Sequence, residues 1–482
     1  MSDTNHGRTG QDGWRQVLRQ GHGGRILVVT GGVALHAVSI YVVATIMPVV
    51  VAEIGGVAFF AWTSTLYIAG SLTGAAAVPL TLAQAGPRRA FSLAFAMFML
   101  GSLLCSLAPS MGVLLAGRLV QGLGGGMLPA LAYATIRSVF PPALHAWAIS
   151  ILGSVWGVAA LLGPSVGGVF AQFDAWRAAF WVDLAIGLAF AAVAQRVLPR
   201  AIENAPGATP VFPALRLGLI FAAAIAVSAG GITGRPGPAI LGLVVAIALV
   251  AAMLRLDARA PVRLFLGGAF VPTTAPGAVT ATMALLILAM SPCTFVAYIL
   301  RAGHDVAPIT GGYVSALISL AWTAASLLTA SARGRRARRA ILAGPAAMAV
   351  GIALDAHGLA TGSLPVVIAG QILVGTGIGL GWAHLGALLM EVAPAAERNI
   401  AGPFITTAQT LAAAFGTAIA GMVANTAGLA TATTPAGIAA AAQWLFGALL
   451  VFPLAGCLTA WRVLSLTAPA DAGKSTGPDR PA

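Results

Sequence analysis

Charge is what this chain has least of. Only 8% of its 482 residues are Asp, Glu, Lys or Arg, and just 13 are acidic. A soluble chain of this length carries about a quarter charged residues, so a water-facing globular fold is excluded. Cysteine is scarce as well: Cys105, Cys293 and Cys457 are odd in number, and each sits inside an apolar segment. No disulfide framework follows from that count, and small buried apolar side chains are the ordinary reading of such thiols. There is no Walker sequence, so ATP-driven pumping is not expected. The absence of a metal cluster, of paired acids and of a nucleophile beside a base argues against an enzyme and against a cofactor. The first 25 residues also lack the apolar core and cleavage site of a signal peptide.

What is present in abundance is apolar sequence. The chain is 59% hydrophobic, with a mean hydropathy of +0.92. The apolar residues gather in stretches of the roughly 20 residues that a bilayer core demands of a helix. Fourteen such segments are predicted, the first at 26–51 and the last at 436–463. The net charge of +13 invites a nucleic-acid reading, but its distribution does not support one. With the N-terminus placed inside, 22 of the 26 Lys and Arg residues fall in the tails and inner loops. Arg177, Arg235 and Arg301 fall outside, and Arg118 lies within a segment. That asymmetry is the positive-inside pattern. It predicts a multi-pass protein of the cell's inner (plasma) membrane with both tails, 1–25 and 464–482, in the cytoplasm. The lipid bilayer is then the expected partner, and nucleic acid is not.

The chain also repeats, with an offset near 253. Gly117, Gly122, Gly124 and Gly126 recur as Gly370, Gly375, Gly377 and Gly379. Two six-helix bundles, 26–197 and 274–463, related by parallel duplication, account for this. Residues 214–256 have no counterpart. They hold two apolar segments joined by Gly234-Arg-Pro-Gly237, and the expectation is two extra crossings, 14 in total, with a re-entrant hairpin as the alternative. The expected fold is an all-α membrane protein.

One stretch concentrates unusual chemistry. Arg118 lies in an apolar segment beside Gln121 and the Gly122–Gly126 run. A charged group there costs a few kcal/mol even on lenient insertion scales, so it is a functional candidate by default. Glycines let helices approach closely where lipid supplies no hydrophobic drive. The next segment ends in Gly163-Pro164-Ser-Val-Gly167-Gly168, where proline removes a donor and bends the helix.

These residues resemble signatures of the major facilitator superfamily. Arg118-x-x-Gln121-Gly122 looks like the superfamily's fourth-helix motif, and Gly163-Pro164-x-x-Gly167-Gly168 resembles the end of its fifth-helix antiporter motif. Trp176-Arg177-x-x-Phe180-x-x-Asp183 is similar to the sixth-helix signature of the 14-helix drug:proton antiporter branch, which has Asn and Pro where this chain has Asp183 and Ala185. Trp62, Tyr67 and the stretch from Arg255 to Phe270 match the same branch. The loop at Gly86, Arg88 and Arg89 resembles the family's inner-loop motif, but Ala83 and Gln84 stand where that motif has an acid and an arginine. The family's helix-1 aspartate is replaced by Ser39.

The resemblance implies a major facilitator fold and the roles that follow. Arg118, His36 and Gln121 are expected to serve transport and coupling, with His36 a candidate proton carrier because its intrinsic pKa is near ~6.5. Ser39, Tyr67, Trp156, Ser319, Trp322, His384 and Gln409 are expected to line a substrate cavity. Gly163, Pro164, Gly167 and Gly168, with Arg88 and Arg89, form the conformational motif. Asp183 is expected to be mainly structural. Asp355, Glu391 and Glu397 are expected at hydrated helix ends. With Arg118, His36 and His384 in the cavity and no carboxylate, neutral or anionic substrates are expected over cations. The functional expectation is a monomeric secondary transporter that exports a small, partly apolar organic molecule in exchange for protons. The alternatives are a facilitator or proton symporter for a metabolite, and a receptor or scaffold that does not transport.

Overall fold

The computed structural model describes residues 23–139, 145–200, 212–261, 263–394 and 397–467; most of both polar tails lies outside the described residues. Among those residues the chain is helical throughout, without a strand. Away from water, a backbone N–H must find its acceptor within the protein, and a helix supplies one inside the same segment.

The first half comprises α1 (Gly23–Ile54), α2 (Phe60–Ser106), α3 (Met111–Val139), α4 (His145–Gln172) and α5 (Trp176–Val197). A hairpin follows, α6 (Ala214–Gly231) and α7 (Pro236–Ala258). The second half opens with α8 (Ala275–Ala289), which runs through a 3-10 turn at Ser291–Phe295 into α9 (Val296–His304). It continues with α10 (Pro308–Thr329), α11 (Arg335–Thr361) and α12 (Leu364–Val392). It closes with α13 (Arg398–Thr426), α14 (Pro435–Leu449) and α15 (Val451–Leu466).

Thirteen stretches among the described residues are long and apolar enough to cross a membrane. Fourteen segments were expected, and the difference lies at Val57–Ser106, a continuous stretch of 50 residues where the sequence predicts two segments. Inside it, Gly86 has non-helical angles (φ 71°, ψ 171°), a conformation that glycine adopts at no steric cost.

Close approach between helices is set by the glycines of α3. A Cβ at Gly122 or Gly126 would strike the carbonyl oxygens of Tyr67 and Ser71, and one at Gly124 would strike the backbone of Ala94 and Phe98. Residues on both sides of Gly86 therefore press on the same short length of α3. The second half packs alike around α12. There Gly375 and Gly379 meet the carbonyls of Ile318 and Trp322 on α10, and Gly377 meets Gly344 and Met348 on α11. Small residues at such seams allow the van der Waals contact that drives helix association in lipid.

The loop arginines fasten each half to itself. Arg88 Nε donates to Leu198 O at 2.8 Å, just past α5, and Arg338 Nη2 donates to Leu464 O at 2.8 Å near the end of α15. Arg25 Nε reaches Val197 O at 3.3 Å, so the start of α1 lies at the same end as Arg88. At the opposite end Glu53 accepts from Trp176 Nε1 at 2.6 Å and pairs with Arg177 at 2.5 Å.

The α6–α7 hairpin docks on α13 through a cluster of Ala223, Val227, Ala246 and Ala418. At its base Arg216 pairs with buried Asp257 at 2.5 Å. Asp257 also accepts from the backbone N–H groups of Leu264 (2.9 Å) and Phe265 (3.1 Å). One carboxylate thus ties α6, α7 and the linker together.

Candidate functional site

Arg118 is 2% exposed, so its guanidinium must be satisfied from within. Four neighbours do this. Nε donates to Thr63 O at 3.3 Å, and Nη1 donates to Gln121 Oε1 at 2.5 Å and to Ser39 Oγ at 3.5 Å. Its Cζ lies 3.9 Å from the centre of the Tyr67 ring, a cation–π contact that gains strength when desolvated. Gln121 passes the network on: its Nε2 donates to Ser102 Oγ at 2.8 Å and to Asp183 Oδ2 at 3.3 Å. The far side of Tyr67 leads to His36, with the hydroxyl 2.9 Å from Nδ1 and the two rings stacked at 5.5 Å. Trp156 meets His36 edge-on at 5.8 Å. Four helices, α1, α2, α3 and α5, contribute to one buried assembly, and the exposed Trp156 of α4 lies at its edge.

A second set of residues lies where α1, α4 and α10 meet. A Cβ at Gly163 would strike Tyr41 Cβ, and one at Gly167 would sit 2.8 Å from Val42 O. At Gly168 the neighbour is Ile309 Cβ, 2.6 Å away, and at Gly312 the Cβ would meet Thr45 Oγ1 at 2.6 Å and Pro164 at 3.1 Å. Side chains bridge the same seam: Tyr41 OH lies 2.6 Å from Ser319 Oγ, and Ser165 Oγ is hydrogen-bonded to Tyr313 OH. Further along, Asn425 Nδ2 donates to Ala58 O at 2.8 Å, and Phe60 stacks on Phe295 at 5.0 Å.

A buried guanidinium network beside a glycine-lined seam, in an all-helical apolar chain, invites comparison with known proteins. The profile of the Major Facilitator Superfamily matches residues 29–332. The chain belongs to the Major Facilitator Superfamily. It is 33% identical over 466 residues to a probable multidrug-efflux transporter of Mycobacterium tuberculosis, covering 93% of this chain and 96% of that protein. It is 31% identical over 156 residues to multidrug resistance protein 3 of Bacillus subtilis, covering 32% of this chain and 30% of that one. The fold is similar to that of the POT family transporter PepTSo, with a TM-score of 0.63, 14% identity, and coverage of 91% of this chain and 98% of that one. A D-xylose-proton symporter gives 0.61, 16%, 92% and 97%. The protein is a multi-pass membrane transporter and not an enzyme.

Within this transporter the other expected site residues are placed as follows. Ser319 lies at the seam against Tyr41. Trp322 meets Trp382 edge-on at 5.4 Å. His384 is half-buried on α12, and its Nε2 has no partner. Gln409 is half-buried on α13 and is not drawn into the Arg118 network. Arg88 binds within its own half, and Arg89 is exposed.

Two expectations about acids change. Asp183 is joined to Arg118 through Gln121. The assembly therefore holds a buried carboxylate, linked to the guanidinium through Gln121, where the sequence reading expected none. Asp355 does not sit hydrated at a helix end: it is 0% exposed, and Gln371 Nε2 donates to its Oδ2 at 2.7 Å. Sequence reasoning also missed Tyr41 and Tyr313. The signal available was slight, a tyrosine in an otherwise apolar stretch, because which helix faces which is not written in the period of either one.

Proposed function

We propose that the chain exports a small, partly apolar organic compound across the plasma membrane in exchange for protons, its two halves (26–197 and 274–463) alternating access around a site between them. The observation that carries this reading is the distribution of contacts between the halves. The glycine-and-proline seam, Ser165 with Tyr313, and Asn425 with Ala58 gather toward the Glu53 end. At the Gly24 end the arginine ties described above stay inside each half. A molecule pinned across one end and tied half by half at the other is the form a rocking carrier takes with that pinned end shut. The family, and relatives named as multidrug-efflux transporters, support the export direction.

Fourteen crossings are proposed. α2 has 47 residues, which at ~1.5 Å per residue is over twice a bilayer core of ~30 Å. Its two arms press on one level of α3, as the separate helices α10 and α11 press on α12. A reversal at Gly86 reconciles these facts and puts both tails on one face, the cytoplasmic one by the arginine distribution. Arg118 with Gln121 and Asp183 is the proposed coupling centre, reached through Tyr67 and His36. No charge preference for substrate is drawn from Arg118, because a buried carboxyl, Asp183, shares its network. The protomer is proposed to act alone, since both sides of the seam come from one chain.

The test is reconstitution into proteoliposomes with an imposed pH gradient and a panel of neutral, anionic and cationic fluorescent compounds. Gradient-driven export that Arg118→Ala abolishes supports the reading. Transport that ignores the gradient would replace exchange with facilitation, and unchanged transport in Arg118→Ala would remove the coupling centre.

A further inference from the structure

The second half contains a polar cluster that the reading above does not use. Asp355 on α11 and Gln371 on α12 are both 0% exposed. Gln371 Nε2 donates to Asp355 Oδ2 at 2.7 Å, and Cys293 Sγ approaches the same oxygen at 4.0 Å. Two oxygens at this junction, Asp355 Oδ1 and Gln371 Oε1, have no partner. Among the described residues no cation forms an ion pair with Asp355. Burying an ionised carboxylate without a counter-charge is among the costliest arrangements a protein makes, and acids at membrane depth mark proton paths more often than architecture.

The surroundings add little charge. α8 and α14, packed against α11, bring no ionisable side chain. α15 brings Cys457 and Arg462, the latter bound to Pro272 O. α9 brings Tyr298, Arg301, which is paired with Asp305, and His304, whose ring lies on Leu359 O. α12 adds His384 and, near its far end, Glu391; on α11 itself His357 is exposed and the arginines stand at the opposite terminus. None of these is bonded to the carboxyl, and the ionisable side chain that approaches it is Cys293 of the 3-10 turn.

Gln371 can answer both protonation states. When Asp355 is ionised, the amide NH2 donates to it. When Asp355 carries a proton, a half-turn of the same amide presents Oε1 as acceptor to the new O–H. A fixed cation would favour one state only. The 253-residue repeat sharpens the contrast, because the positions equivalent to Asp355 and Gln371 are Ser102 and Arg118. Duplication has left a permanent cation in one half and an acid with a neutral, reversible partner in the other.

We propose that Asp355 is the group in the second half that takes up and releases the exchanged proton, with Gln371 as the positioning residue that accommodates both forms. This rests on the proton-coupled export proposed above, and the test separates the two. Wild type, Asp355→Asn, Asp355→Glu and Gln371→Leu are reconstituted. Dye movement driven by a pH gradient is compared with dye exchange at equal pH, using Hoechst 33342 as the probe. The expected result is loss of the gradient-driven component in Asp355→Asn with exchange retained, recovery in Asp355→Glu, and a shifted pH profile in Gln371→Leu. Wild-type driving that persists unchanged in Asp355→Asn overturns the proposal and leaves proton exchange standing. If wild type shows no gradient-driven movement of this dye or of any compound in the panel above, the export reading fails. Infrared titration of the purified protein then decides the site: a titrating carboxyl band missing from Asp355→Asn upholds it, and a band unchanged in that variant overturns it.

Discussion

Arg118 holds α1, α2 and, through Gln121, α5 to the centre of the first half. A guanidinium does this with a planar fork of donors that an ammonium lacks. Arg118→Lys is therefore expected to behave as a loss, not a conservative change, lowering the melting temperature in detergent. Arg118→Leu leaves Gln121 Oε1 without its charged donor, and losing a buried hydrogen bond to a charged group costs about 1.5–3 kcal/mol. Adding Asp183→Asn to Arg118→Leu is expected to recover part of that loss. A double-mutant cycle read by thermal or denaturant unfolding checks the coupling. Additive losses would mean that the two charges do not share one network. Tyr67→Phe keeps the ring under the guanidinium and removes the hydroxyl that meets His36, so a cost of about 1 kcal/mol is expected. The sequence makes Arg118 and Gln121 legible because a charge in an apolar run has few explanations. It hides the partnership with Asp183, and the burial of Asp355, because both depend on how neighbouring helices are rotated.

At the scale of elements, the glycines of α3 divide by what surrounds them. Gly126 has no room for a Cβ beside Ser71 O, whereas nothing lies within 4 Å of Gly112 on the same helix. Gly126→Ala is expected to destabilise by about 1–3 kcal/mol through overpacking. Gly112→Ala is expected to be neutral or stabilising by up to about 1 kcal/mol through helix propensity. Equal effects in the two, measured by thermal unfolding, would mean that the α2–α3 seam is not close-packed. The run of glycines was readable from sequence as a packing face, and the duplication was readable from its recurrence at Gly375 to Gly379. The level at which the two arms of α2 meet α3 was not, since a segment break near Gly86 does not say how far either arm reaches along its neighbour.

For the whole molecule, the decisive question is whether the seam opens. Gly168 and Ile309 face each other across it. Their Cβ atoms would stand closer than the ~3.5–4.5 Å a disulfide spans, so a small outward shift accommodates the bond. The pair Gly168→Cys with Ile309→Cys is expected to cross-link under mild oxidation and to stop transport until reduced. A cross-linked protein that still transports would show that the halves need not part there. Cysteine labelling from either side of the membrane checks the crossing number: a thiol at Arg89 is expected on the tail side and one at Thr431 on the opposite side. The bilayer habit could be read in advance from segment length, and the carrier fold from the motifs that resemble those of the superfamily. The fastening of each half onto itself could not, because nothing in the sequence pairs Arg88 or Arg338 with carbonyls 110 and 126 residues away.

That fastening reaches beyond the resting shape. With Arg88 gripping the carbonyl of Leu198 and Arg338 that of Leu464, each half is a closed hoop with its last helix buckled in. Polypeptides encoding residues 1–205 and 206–482, translated separately, are then expected to shut on their own and find one another in the bilayer. Activity recovered from such a severed pair would trace cooperation between the hoops to their shared rim, with no covalent thread required.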